Sequence, residues 1–236
     1  RLEAAARRAG NESVRLYAIL NAFAIEVDAG NTSALDRLTS ELSAMQLLMT
    51  RAVSEALLPA QALRAAWNAD FAHAYELLAP GAPKLADRLR AAYRWAEVAV
   101  YAAAARRAPE ARAALAALHE RLAGVAPAQP LAIRAVAYRA LAEMLVGDAA
   151  AAARTIAEAR RLAARAPARG RALVEAIAAL VACRREGARR FRDLAVALDA
   201  LDAHALGGVA RLLARLPVDA IERAPRWEPA VLGAAG

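Results

Sequence analysis

A single cysteine, Cys183, occurs in 236 residues, so no intramolecular disulfide framework can form, and a reducing compartment, the cytoplasm, is expected. Aromatic residues make up only 5% of the chain although 59% is hydrophobic, because much of the apolar fraction is alanine. A core with so few rings has to come from close approach of backbones, which Ala-rich helices permit. Lysine is nearly missing: Lys84 stands alone among 32 basic residues, a bias towards Arg and not a phosphate-binding signature. No uncharged run approaches the roughly 20 residues that a membrane span needs, since 172–183 carries Glu175 and 98–105 is far shorter. No charged segment with an apolar core opens the chain, so no signal peptide is expected, and the start at Arg1 in place of Met reads as the edge of a piece of something longer.

Signatures of catalysis are missing as well. There is no Gly-x-Ser-x-Gly, His-Glu-x-x-His or Gly-x-Gly-x-x-Gly, so no enzyme and no cofactor is expected. His73, His119 and His204 have no His or Cys at ligand spacing, so no metal site is expected either. Glu26 and Asp28 are a carboxylate pair, but they sit side by side in a turn. Cys183 precedes Arg184 and Arg185, which would lower its pKa if they faced it, while the better reading of the apolar run before it is a buried structural thiol.

What the chain does have is a repeat. Five times an amphipathic segment of helical periodicity runs into a short polar turn and a second such segment, at roughly 39-residue intervals. The turns are Asp28-Ala29-Gly30-Asn31, Asn68-Ala69-Asp70, Arg106-Arg107-Ala108-Pro109-Glu110, Gly147-Asp148 and Arg185-Glu186-Gly187. One helical hairpin cannot bury its apolar face alone and lays it against the next. The expected fold is therefore all-α, a right-handed α-solenoid of about five helical hairpins over 12–216, between an N-terminal lead-in, 1–11, and an irregular C-terminal tail, 217–236. Strand-favouring runs are missing, so no sheet is expected.

The first hairpin should comprise helices 12–28 and 32–45, with Asn11 as N-cap, Gly30 ending the first helix through a positive φ and Thr32 or Ser33 capping the second. The others should run 50–68 and 70–79, 85–106 and 110–123, 130–146 and 149–165, 169–185 and 188–202, followed by a terminal helix 207–216. Pro59 falls inside the third segment, where it should kink or split the helix. Trp67, Phe71, Tyr75 and Trp95 lie among Ala and Leu at helical spacing and read as core anchors.

Net charge is +8, and its placement decides its meaning. Residues 1–100 balance 11 basic against 11 acidic side chains, so the whole excess lies beyond them. The arginines of 160–171 and of 184–192 are separated by a helix of about a dozen residues, which puts about 20 Å between them at 1.5 Å per residue. Two groups on opposite rims read as solvated edges and not as one nucleic-acid footprint.

Leu141-Ala142-Glu143-Met144-Leu145-Val146-Gly147-Asp148, running on into five alanines, resembles the inter-helix signature of tetratricopeptide repeats, and Trp67-Asn68-Ala69-Asp70-Phe71-Ala72-His73-Ala74 is similar. The longer period, the Arg-rich turns and the abundant Ala resemble more closely the tetratricopeptide-like helical sensor region of MalT-type regulators, large LuxR-family bacterial transcription activators. Those carry a nucleotide-binding switch domain, a helical-repeat region and a C-terminal DNA-binding helix-turn-helix. The resemblance covers about 12–216; the sequence contains no phosphate loop and no helix-turn-helix, so it implies the effector-sensing middle of such a regulator, with the DNA-binding domain outside this chain.

Inner helices of a hairpin solenoid line a concave face, so polar and aromatic residues aligned on those helices are candidate contacts. Ser13, Tyr17 and Asn21 follow i, i+4, i+8 in the first repeat; Asp87, Arg90, Arg94, Glu97 and Tyr101 follow i, i+3, i+7, i+10, i+14 in the third; Arg134 and Tyr138 occupy comparable positions in the fourth. The expected groove is Tyr17, Asn21, Arg90, Arg94, Glu97, Arg134 and Tyr138, suited to an anionic or hydroxyl-rich small effector or an acidic peptide. The function expected is a non-enzymatic sensor module of a transcriptional regulator. A plain scaffold that holds a peptide or partner helix without switching is the alternative, and nucleic-acid binding by the repeats or a membrane partner is not expected.

Overall fold

The computed structural model describes residues 11–45, 51–126 and 129–218. The lead-in before residue 11 and the tail beyond 218 lie outside the described residues. Among the described residues there are eleven α-helices and no strand. In chain order they are α1 (Glu12–Ala29), α2 (Thr32–Ala44), α3 (Arg51–Trp67), α4 (Phe71–Leu78), α5 (Arg88–Ala104), α6 (Ala108–Leu122), α7 (Pro130–Leu145), α8 (Ala149–Ala163), α9 (Ala168–Glu186), α10 (Phe191–Ala203) and α11 (Gly207–Arg215). Short 3-10 turns, Ala82–Lys84 and Gly187–Arg190, precede α5 and α10.

One backbone turn recurs along the chain. A residue with positive φ (Gly30, Ala69, Arg106, Gly147, Ala205) ends each of five helices. The N–H of the following residue then reaches back five positions to satisfy a carbonyl of the last turn: Asn31 to Glu26, Asp70 to Ala65, Arg107 to Ala102, Asp148 to Glu143 and Leu206 to Leu201, at 2.8–3.1 Å. In three cases that same residue caps the next helix. The side chains of Asn31, Asp70 and Asp148 accept from the N–H of Ala34, His73 and Ala151 at 3.2, 3.2 and 2.8 Å. The cap of α2 is thus Asn31 and not Thr32 or Ser33, because its carboxamide is already aimed by the turn. The expected turn at Gly187 is built differently. Its φ is positive, but it opens the 3-10 turn, so α9 and α10 are joined by a longer corner.

The helix α3 continues through Pro59, where a kink or split was expected. A proline lacks the N–H of an ordinary helical residue, and here the loss is absorbed without splitting the helix. Trp67 and Phe71 are buried, as their spacing predicts, and Tyr75 and Trp95 are half-buried against the same core.

Within each hairpin the two helices pack on each other, and the odd-numbered helices carry the contacts onward: α1 on α3, α5 on α7, α7 on α9, with α4 joining the second hairpin to α5. Helices α5 and α7 are consequently buried on nearly every side, which is why their sequences are dominated by Ala. The succession does not stay open. From α10 the chain returns, and α11 packs against α3 and α1.

Three glycines make that return possible. A Cβ at Gly208 would collide with the Val27 carbonyl and lie 2.7 Å from the Trp67 ring, one at Gly207 would lie 2.6 Å from the Ala29 carbonyl oxygen, and one at Gly30 would lie 2.8 Å from the Gly208 nitrogen. Gly30 also holds a φ of 77°. The N-terminal turn of α11 therefore sits directly on the carbonyl end of α1, the positive pole of one helix against the negative pole of the other. Arg211 lies over Trp67 at 5.7 Å and covers the same seam.

Candidate functional site

The end of α1 that α11 covers also carries Asp28. Its carboxylate accepts two hydrogen bonds from Arg134 of α7, both 3.1 Å, and a third from Arg169 of α9 at 2.9 Å. Two guanidinium groups from two helices thus converge on one carboxylate across 106 and 141 residues of chain. Arg134 has other contacts besides it. Its guanidinium lies 5.1 Å from the Tyr93 ring centre and 5.8 Å from that of Tyr138, and those rings meet edge to face at 5.8 Å. Both tyrosines follow from helical spacing: Tyr93 and Glu97 are i, i+4 on α5, and Arg134 and Tyr138 are i, i+4 on α7.

Behind the arginine lies a buried carboxylate. Glu97 is only 5% exposed and stands 3.0 Å from Arg94. Burial raises its pKa above the usual carboxylate range, against the opposing pull of Arg94 and Arg134 and a hydrogen bond with Tyr93. Burial likewise raises the phenols of Tyr93, Tyr101 and Tyr138. On Arg134 burial alone would act downward, but Tyr93, Tyr138 and Asp28 outweigh it and keep the cation in place. The cluster is not saturated. Glu97 Oε2, Arg94 Nη1, Tyr101 Oη and Arg134 Nε are buried without a hydrogen-bond partner, the Arg94–Glu97 contact being close but misaligned. Orphaned polar atoms of this kind leave room for donors and acceptors from outside the chain.

Of the expected groove residues, the structure brings Arg94, Glu97, Arg134 and Tyr138 together. Tyr138 is 1% exposed, so this group faces an interior and not an open wall. Arg90 is exposed one turn before Arg94, and Asp87 is the N-cap of α5, accepting from the Arg90 N–H at 2.7 Å. Tyr17, 66% exposed, and Asn21, also exposed, lie on the stripe of α1 that ends at Asp28, outside the buried cluster. Asp28 and Tyr93 were missed by sequence reasoning. Asp28 reads as a turn residue until the fold places it opposite two arginines, and Tyr93 sits one position off the stripe that was read.

Elsewhere several arginines meet acids: Arg160 pairs with Glu175 at 2.6 Å, and Arg190 with Glu186 at 2.6 Å and Asp193 at 2.9 Å. Cys183 is buried, and desolvation pushes its thiol up to about 11, with Asp193 and Glu186 acting in the same direction and Arg190 opposing. Among the described residues no group of three His, Cys, Asp or Glu side chains could hold a metal ion, and no helix is long and apolar enough to cross a membrane. A cleft of about 670 Å³ opens between the first two hairpins, floored by Phe23, Leu42 and Leu57 and edged by Thr39, Gln61 and His73.

No protein-family model, curated protein or solved structure matches this chain.

Proposed function

We propose that the chain is a non-enzymatic sensor module, the helical-repeat part of a MalT-type bacterial transcription regulator, and that it receives a small polar effector in the cytoplasm. One observation carries this reading: four helices deliver Asp28, Glu97, Arg134 and Arg169, with three tyrosines, to a centre that retains unpartnered buried donors and acceptors. Unsatisfied buried polar groups are costly, and a protein keeps them where something else completes them. Because the same carboxylate ties α1 to α7 and α9, a ligand that binds the centre is coupled to the arrangement of the helices, as a sensor requires. In the basic stretch outside the centre, Arg160, Arg189 and Arg190 are tied up with Glu175, Glu186 and Asp193, which favours a small ligand over nucleic acid.

Thermal-shift screening of the purified chain against sugars, amino acids, organic acids and acidic peptides tests the proposal. A ligand is expected whose affinity falls by about 1–3 kcal/mol in Arg94→Ala and by about 1 kcal/mol in Tyr138→Phe, since removing a partner of a buried polar contact costs of that order. Tyr138→Ala is unsuitable, because truncating a ring so deeply buried would disrupt the core. Undiminished affinity in both variants would refute the site.

The scaffold reading rests on a different observation, the apolar-floored cleft between the first two hairpins. It predicts that Leu57→Glu abolishes binding of a partner helix while Arg94→Ala leaves that binding unchanged.

A further inference from the structure

The strongest unexplained feature is the way Asp28 is used. Arg134 has contacts besides this carboxylate: two tyrosine rings lie against its guanidinium, and its Nε remains without a partner. Asp28, by contrast, sits on the last turn of α1 with its side chain 22% exposed, and the Arg169 side chain beside it is 48% exposed, so the triad is open to solvent on one side. A preorganised guanidinium held by a removable internal carboxylate is a binding site occupied by part of its own chain.

We propose that Arg134 and Arg169 accept the carboxylate of a small hydroxy- or amino-acid, which replaces Asp28 and thereby loosens the seam between α1 and α11. This deepens the sensor reading and rests on it. Arg134 needs an anion, since a cation so far desolvated is costly when alone, and so Asp28 can be exchanged but not simply lost. Tyr101 Oη and Glu97 Oε2 supply the second half of the recognition. Both are buried without a hydrogen-bond partner on the helix that carries Tyr93 against Arg134, so they are the donor and the acceptor left for the hydroxyl or ammonium group of the same ligand. A plain fatty acid would satisfy the arginines and leave these atoms orphaned.

The consequence for the fold follows from where Asp28 is attached. Val27, Asp28 and Ala29 form the turn whose carbonyls Gly207 and Gly208 abut. Displacing the Asp28 side chain uncouples that turn from α7 and α9, so the α1 side of the seam with α11 is less firmly anchored.

Chemical rescue tests the exchange. Asp28→Ala vacates the arginines and is expected to melt below wild type. Sodium acetate should raise its melting temperature about 3–5 °C more than sodium chloride at equal ionic strength, once acetate exceeds its Kd about tenfold, and sodium glycolate should do so at lower concentration. Adding Arg134→Gln should abolish the difference between the salts. In wild type, glycolate should accelerate amide exchange at Val27 to Gly30 and at Gly208. Asp28→Asn, which keeps the side-chain shape, carries the test if the alanine variant does not fold. Equal effects of carboxylate and chloride in these variants, or failure of both to fold in either salt, would overturn the proposal. A ligand found in the screen that is uncharged and depends on Arg94, with no rescue here, would sink this inference while leaving the sensor reading intact.

Discussion

Gly208→Ala is the perturbation on which the closed arrangement stands or falls. In an ordinary helix the change is mildly favourable, by about 0.5–1 kcal/mol, because alanine loses less backbone entropy on folding. At Gly208 the added methyl would meet the Val27 carbonyl and the Trp67 ring at 2.7 Å, and neither is the flexible end of a side chain. Overpacking against rigid neighbours costs about 1–3 kcal/mol, so the net expectation is a loss of about 1–2 kcal/mol. For a chain of this size that is a fall of about 2–8 °C in Tm. Gly170→Ala in α9 supplies the control, since its Cβ would rest 3.5 Å from the Ala166 methyl, an ordinary contact. That variant should hold or gain up to about 3 °C. Thermal denaturation followed by circular dichroism reads both. If Gly208→Ala melts with or above Gly170→Ala, α11 does not sit on α1 as described.

Two further expectations concern buried titratable groups. The Cys183 thiol, raised from 9.0 to about 11, should react with a disulfide reagent about 100-fold more slowly in the native protein than in denaturant at pH near 8; equal rates would show it to be accessible and ionisable. Glu97 binds its proton more tightly folded than unfolded, so the stability it contributes is whole below the ordinary carboxylate value of 4.5 and is lost as the pH rises through the higher folded value. Glu97→Gln escapes that loss, and its Tm relative to wild type should improve between about pH 4 and pH 7; a flat or opposite trend would mean that Arg94 and Arg134 outweigh burial.

Helices and their ends were legible because they depend on neighbours in sequence. Asn11 caps α1 and Gly30 terminates it as the residue types require, and the Gly147-Asp148 turn closes as its likeness to other helical repeats implies. Ala69, Arg106 and Ala205 adopt the same left-handed turn without glycine, and there only the regular spacing pointed to the first two. The site was half legible. Arg94 and Glu97, and Arg134 and Tyr138, share helix faces and so declare themselves as pairs, but which carboxylate completes them is a long-range matter. Asp28 meets Arg134 only because the fold brings the end of α1 to α7, 106 residues on, and nothing in the residues around Asp28 encodes it.

That returning helix alters how the chain must acquire its structure. In an open array each hairpin can settle on the one before it, and stability accumulates by local steps. Here the first two hairpins lack part of their packing surface until Gly207 and Gly208 have been made, some 180 residues after the carbonyls they cover. The early helices should therefore wait, incompletely consolidated, for the last, and the whole should unfold as one cooperative unit that cannot be lengthened by a repeat without breaking its own circuit.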